Sequence, residues 1–254
     1  MRLLKKNWEK SKMDSILKNK NCLVTGATGG IGKHIVKLLL KNQCNVFLTS
    51  KNNTNLKNFC ESLALKNSKI SCFAADLANT SQIDLLIKKV KSNFSSIDIL
   101  INCAGIFQIK PIEKCENKEF DELLNVNLKA PFLLSKAFSK EMKKKKWGRI
   151  INIGSSSSYS GFKNGTLYSS SKHGILGLSR SLSSELKDYN VRVFCISPSS
   201  TQTDMSKIST DQDFKTFINP KEVAEVVIFA ISFGILNKTE AWIYAHRKAF
   251  TSQA

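Results

Sequence analysis

The chain has no C-x-x-C pair, no internal repeat, no long linker and no apolar run long enough to span a bilayer. Each absence narrows the reading. The seven cysteines (Cys22, Cys44, Cys60, Cys72, Cys103, Cys115 and Cys195) are an odd number, and several fall within apolar strand-like runs, so they read as reduced residues in a reducing compartment. The three histidines, His34, His173 and His246, lack metal-ligand spacing, and no metal site is expected. The segment Met1–Lys20 is lysine-rich but has no apolar core of a secretory signal. The apolar stretch Val226–Leu236 is too short to cross a membrane. A cytoplasmic protein with no membrane partner is expected. With no second compositional block, the organisation expected is a basic arm over residues 1–19 and one domain over 20–254.

Acidic residues are also scarce: 20 Asp+Glu against 39 Lys+Arg leaves a formal charge of +19. Such a charge raises a nucleic-acid reading. No nucleic-acid motif accompanies it, however, and the lysines are scattered from end to end, often beside asparagines. The one dense run, Lys143-Lys144-Lys145-Lys146, reads as the solvated C-terminal end of a helix, where cations suit the dipole. A solvated basic surface is expected, without nucleic acid as a partner.

What is present is an alternation of short apolar runs with longer amphipathic segments. Strands are predicted over Cys22–Thr25, Val46–Thr49, Ile70–Ala74, Ile97–Asn102, Ile150–Ile153, Val191–Ile196 and Ala241–Tyr244. Helices are predicted near Ile31–Leu40, Leu56–Leu65, Gln82–Phe94, Lys118–Lys145, Tyr168–Leu186 and Pro220–Phe233. Uninterrupted apolar strands alternating with helices imply a parallel sheet covered on both faces. The fold class is therefore α/β, a Rossmann-like doubly wound sheet of about seven strands. In such a sheet ligands bind at the carboxyl ends of the strands.

The first strand runs into Thr25-Gly26-Ala27-Thr28-Gly29-Gly30-Ile31-Gly32, which opens the first helix. Glycines there permit a tight turn and close approach of a pyrophosphate, and the helix start supplies free N–H groups. Thr28 and Ile31 are candidate contacts along with the glycines. The second strand ends Leu48-Thr49-Ser50-Lys51, with no acid to accept the adenosine ribose hydroxyls. Lys51 would attract a 2′-phosphate and Ser50 would hydrogen-bond it, so NADP(H) is expected over NAD.

These motifs resemble those of the short-chain dehydrogenase/reductase family. Gly26, Gly30 and Gly32 fit the T-G-x-x-x-G-x-G of its single-domain branch. Gly29 makes the same stretch fit T-G-x-x-G-x-x-G of the extended, sugar-nucleotide-modifying branch. Asp76 and Leu77 resemble the family's adenine-contacting pair. Asn102-Cys103-Ala104-Gly105 resembles its N-N-A-G segment, with Cys103 in place of the second asparagine. The resemblance implies cofactor contacts from Asn102, Ala104 and Gly105.

The catalytic motif begins with Tyr168 and Lys172, one helical turn apart at i and i+4. A free phenol ionises near pH ~10, and a neighbouring ammonium favours its anion. Such a phenol can donate a proton in carbonyl reduction and accept one in alcohol oxidation. Ser155 stands thirteen residues before Tyr168, the family's spacing for a serine that binds the substrate oxygen. In Asn125-Val126-Asn127-Leu128, Asn127 matches the family asparagine that supports a proton path to the lysine. A mid-helix asparagine is otherwise unfavourable and tends to distort a helix. The resemblance thus implies a tetrad of Asn127, Ser155, Tyr168 and Lys172, with Tyr168 and Lys172 also touching the cofactor.

After the sixth strand the family's P-G-x-x-x-T becomes Pro198-Ser199-Ser200-Thr201-Gln202-Thr203. Pro198 and Thr203 are implied cofactor contacts, and Ser199 replaces a glycine, a change that matters if the backbone there needs positive φ. The short polar segment Ser206–Asn219 stands where relatives carry a substrate lid. The nearest resemblance is to 3-oxoacyl-thioester reductases, which implies a small carbonyl or alcohol substrate, including an acyl group on an acidic carrier protein. A sugar or another small ketone stays open. Gly174-x-x-Gly177 permits close helix approach, and relatives pair this helix across subunits, so a homodimer or homotetramer is expected. Two competing functions are a sugar-nucleotide-modifying enzyme, hinted at by Gly29, and a non-catalytic NADP-sensing regulator.

Overall fold

The computed structural model describes residues 16–63, 69–208 and 214–232. Six parallel strands form one sheet in the order β3-β2-β1-β4-β5-β6. They are β1 (Asn21–Thr25), β2 (Asn45–Thr49), β3 (Ile70–Cys72), β4 (Ile99–Asn102), β5 (Gly148–Ile153) and β6 (Val191–Ile196). The predicted strand at 241–244 lies outside the described residues. The helices are α1 (Gly30–Lys41), α2 (Asn53–Ser62), α3 (Thr80–Asn93), α4 (Asn117–Leu124), α5 (Ala130–Lys145), α6 (Thr166–Leu186) and α7 (Pro220–Ser232).

The central strands are largely apolar on both faces, which is why the sheet is buried between two helical layers. Alternate residues of one strand enter different cores. Cys22 and Val24 of β1 pack with α1 and α7, together with Val46, Leu48, Ile99 and Ile101. Leu23, Phe47, Leu100 and Ile150 pack the other way, onto Ile83 and Leu86 of α3 and Leu134 and Phe138 of α5. Burying a leucine or isoleucine of this kind contributes roughly 1.5–3 kcal/mol.

The structure departs from the predicted elements in several places. The single long helix expected over Lys118–Lys145 is α4 and α5 joined by a π-helical turn at Asn125–Lys129. Within residues 1–19, expected as a basic arm, Leu17 is fully buried in the core. Its carbonyl accepts from the Cys44 thiol, and Asn19 N–H donates to the Gln43 carbonyl. Finally, β5 begins two residues earlier than predicted and carries the buried Arg149. Arg149 stacks on Trp147 and donates to the Gly148, Asn190 and Ile231 carbonyls.

The lysine run ends α5 as expected. Lys146 takes the left-handed capping conformation, Lys144 pairs with Glu141 and Lys145 pairs with Asp98. The order of the strands reverses beside β1, between the loops that follow β1 and β4. There a cleft of about 800 Å³ opens at the carboxyl ends of the sheet.

Candidate active site

The phosphate end of the cleft is made of backbone. Gly26 has φ +62°, and a Cβ there would stand 2.8 Å from the Ala104 backbone. Only glycine satisfies both conditions without strain. The turn is closed by the Gly29 N–H on the Gly26 carbonyl and the Ala27 N–H on the Thr49 carbonyl. Gly29 caps α1 without a side-chain acceptor, and the first turn contains no acid. The N–H groups of Gly30, Ile31 and Gly32 therefore face the cleft end with a positive dipole and no carboxylate from their own turn.

The loop is braced from below. Thr25 Oγ1 accepts the N–H groups of both Cys103 and Ala104 at 3.1 Å, tying β1 to the end of β4. The Thr28 and Ser50 hydroxyls hydrogen-bond at 2.7 Å beside the turn. The glycine turn, the uncapped helix start and this hydroxyl pair fit the diphosphate and ribose of a dinucleotide.

At the adenosine end, Lys51 is already engaged. Its Nζ lies 2.8 Å from Asp76 Oδ2 and 3.7 Å from Glu122 Oε1. The Asp76 hydrogen bond is the main reason the Lys51 ammonium is held above its ordinary range. Burial alone would raise the Asp76 carboxyl, but the bonds from Lys51 and the Ala78 N–H outweigh it and hold it below its ordinary range. The acid pair faces the position the sequence assigns to a phosphate, so Lys51 is a contested cation rather than a free one. Glu122 lies on α4, and nothing in its local sequence marks it.

The reactive end gathers side chains from separate elements. Lys172 of α6 is buried, and its Nζ donates to the Ile153 carbonyl at the end of β5 at 2.9 Å. That nitrogen sits 5.5 Å from the centre of the Tyr168 ring. Ser155 caps a short turn, accepting from Ser157 N–H at 3.1 Å while its own N–H donates to Ser158 Oγ. Ser158 is buried in that structural role, whereas Ser155 faces the cleft with Tyr168 and Lys172.

Asn127 is buried behind them on the π-turn. Its Oδ1 accepts the Ile106 N–H at 2.9 Å, and its Nδ2 donates to the Ile106 carbonyl and Ser171 Oγ, each at 3.0 Å. An α-helical register would close this turn; the extra residue lets the side chain hold the loop after β4 instead. Asn127 clamps that loop to α6, directly beneath Tyr168 and Lys172.

Of the residues singled out from sequence, Gly26, Thr28, Gly29, Gly30, Ile31, Gly32, Ser50, Lys51, Asp76, Leu77, Ala104, Gly105, Ser155, Tyr168, Lys172, Pro198 and Thr203 all line this one cleft. Asn102 does not. Its Nδ2 donates to Asn152 Oδ1 at 2.7 Å, and Asn152 donates on to Ser179, so it braces β4 against β5 below the cleft. Thr203 rests against Gly30. Ser199, for which positive φ was the concern, is not among the positive-φ residues Asn19, Gln43, Lys146, Asn164 and Asn190. Its loop is pinned by Ser156 N–H on the Pro198 carbonyl.

Cys103, in place of the family's second asparagine, lines the cleft, as do Phe107 and Phe162, which no sequence motif marks. Burial pushes the Cys103 thiol up to about 12, against the opposing effect of Lys172. It is therefore a neutral thiol at physiological pH and a poor nucleophile. Among the described residues no helix is long and apolar enough to cross a membrane.

A doubly wound sheet with a glycine turn, hydroxyl pair and buried Tyr–Lys pair along one cleft defines a nicotinamide-dependent oxidoreductase. The short chain dehydrogenase profile matches residues 20–213, and the chain belongs to that family. It is 33% identical over 231 residues to a 3alpha-hydroxysteroid dehydrogenase of Mediterraneibacter gnavus, covering 87% of this chain and 92% of that relative. It is 33% identical over 230 residues to a 3-oxoacyl-[acyl-carrier-protein] reductase of Aquifex aeolicus, covering 87% and 93%. A solved metagenomic short-chain oxidoreductase in complex with NADP superposes with a TM-score of 0.78 at 29% identity, covering 90% of this chain and 98% of that one. A structure from Beutenbergia cavernae shares the fold, with a TM-score of 0.82 at 24% identity and coverage of 90% and 96%.

Proposed function

We propose that the protein is a cytoplasmic NADP(H)-preferring reductase that interconverts a ketone and a secondary alcohol, with Tyr168 as general acid and base. The observation that carries this reading is Lys172, whose buried ammonium is fixed by the Ile153 carbonyl beside the Tyr168 ring. When bound, the nicotinamide supplies or accepts the hydride. Gly26–Gly32 and the start of α1 would hold its diphosphate, and Lys172 and Thr203 its nicotinamide end. In the reducing direction the Tyr168 hydroxyl donates its proton to the carbonyl oxygen, which Ser155 orients. Lys172 keeps its cation beside the Tyr168 ring, and Asn127 keeps the Ile106 loop and α6 in register.

The 2′-phosphate reading rests on Lys51 and the Thr28–Ser50 pair, with Asp76 and Glu122 as competitors. An NADP-bound relative of the same fold supports it. An acyl group on a carrier protein is a second substrate reading, favoured by the similarity to the 3-oxoacyl reductase.

Assembly as a homodimer or homotetramer is supported by the shallow apolar groove of Leu124, Leu128, Phe132 and Leu178 on the face of α4–α6. Gly174 serves inside the subunit, against Leu128, while Gly177 opens onto free space. The functional reading is tested by following NADPH absorbance with a panel of ketones, acyl thioesters and sugars. Turnover that is lost in Tyr168→Phe supports it, and equal turnover in that variant sinks it.

A further inference from the structure

The reactive end has one wall that its chemistry does not require. Phe107, from the loop after β4, meets the Tyr168 ring edge-on at 4.6 Å and 87°. Phe162, from the loop after β5, stacks on Phe107 at 6.3 Å and 28°. The two loops are sewn together by the Lys110 N–H on the Asn164 carbonyl at 2.8 Å.

The turn under Phe162 is shaped to present that ring. Asn164 takes φ +61°, and a Cβ on Gly165 would fall 2.3–2.5 Å from three atoms of the Phe162 ring. Phe162 nonetheless stays 40% exposed. A ring held this firmly, yet left half in water at the mouth of a cleft, offers an apolar face to something else. Ile109 and the half-exposed Met205 continue the same mouth. Asp204, which also lines the cleft, is paired with Lys207 at 2.7 Å. Among the described residues Lys163 also lines the cleft, as do the hydroxyl-bearing Ser155, Ser156 and Ser200.

We propose that the substrate is a flat, uncharged, largely apolar carbonyl compound, a fused-ring or aryl ketone whose body lies on the Phe107–Phe162 wall. The inference rests on the carbonyl-reductase reading and names the substrate class of that site. Because Phe107 touches Tyr168 itself, the atoms flanking the carbonyl meet an aromatic face as soon as the oxygen reaches the phenol. A polar edge is tolerated only toward the serines. A sugar would strip water from its hydroxyls against two phenyl rings with no hydrogen bond in return.

The test compares 1-tetralone with dihydroxyacetone and a short 3-oxoacyl thioester. It uses calorimetric binding to the full-length protein saturated with NADP⁺, alongside steady-state kinetics with NADPH. Tetralone is expected to bind at least about tenfold more tightly than dihydroxyacetone. Phe162→Ala should weaken tetralone about tenfold, in KM and in calorimetric Kd alike, with NADPH fluorescence titration unchanged. Gly165→Ala should do the same by displacing the ring, and Phe107→Leu should preserve folding while losing the edge contact.

Tetralone binding no better than dihydroxyacetone, or indifferent to Phe162→Ala, overturns the proposal. Phe162-dependent tetralone binding without turnover of any carbonyl leaves the substrate class standing and removes the Tyr168 reading. Turnover of the thioester or dihydroxyacetone with tetralone excluded does the reverse.

Discussion

The two ends of the cleft are built on different principles. At the phosphate end the protein presents backbone, from a glycine turn and the start of α1, and the residues involved are neighbours in sequence. At the reactive end it presents side chains from the β4 loop, the π-turn, the β5 loop and α6, separated by tens of residues. A local turn folds whenever its glycines are present, whereas the reactive end exists only when four elements are packed together. Damage to the first should therefore show in cofactor affinity, and damage to the second in turnover.

The largest effect expected is Tyr168→Phe. Removing the proposed general acid should lower kcat by about 10²–10⁴, with NADPH affinity by fluorescence titration nearly unchanged; loss of affinity would mean that the two ends are not separable. Next is Gly26→Ala, where φ is +62° and the new Cβ would stand 2.8 Å from Ala104. The strain is about 1–3 kcal/mol, and NADPH affinity should fall at least tenfold, read by calorimetry, together with a lower Tm. If affinity held while kcat fell, the comparison between the ends would fail.

Asn127→Ala comes third. It removes three hydrogen bonds that join the Ile106 loop to α6. Leaving the Ile106 groups unsatisfied costs about 1–3 kcal/mol, so Tm should drop and kcat should fall about tenfold with little change in KM for NADPH. A Tm loss with unaltered kcat would make Asn127 purely structural.

The smallest effects lie in the Lys51 cluster, whose ion pairs are largely exposed and worth at most about 1 kcal/mol. Glu122→Gln should favour NADPH over NADH by a factor of about three, and Lys51→Ala should reverse that preference, in kcat/KM measured for both cofactors. The pH dependence follows from the directions of the shifts. Asp76 is held below its ordinary range, so its contribution to stability is present above the usual carboxylate pKa and is lost as pH falls through its lowered value. Lys51 is held above its ordinary range, so its contribution is present below the usual lysine pKa and is lost as pH rises through the raised one. Asp76→Asn should therefore flatten the acid limb of a Tm–pH curve slightly, and an unchanged limb would show that the pair adds nothing.

Much of this was legible in the sequence. The strands and most helices appear where apolar periodicity places them, and Tyr168 and Lys172 share a helix face by spacing alone. Asn102 shows where that legibility stops: its neighbours line the cleft, but its own side chain is claimed by Asn152 on the next strand. The predicted continuous helix over Lys118–Lys145 missed the π-turn, because the amphipathic pattern runs through it and only the demands of the Ile106 loop explain it. Lys51 was readable as a cation but not as one contested by Glu122, which arrives from α4.

The sequence by itself determined the parallel sheet, the glycine turn and the shared helix face of Tyr168 and Lys172, because these depend on local conformation and short spacing. Only the tertiary structure decided what surrounds them. Phe107 and Phe162 sit on irregular loops with no periodicity to reveal them. They form a wall because the Lys110–Asn164 hydrogen bond brings the two loops together and Gly165 leaves room for a ring.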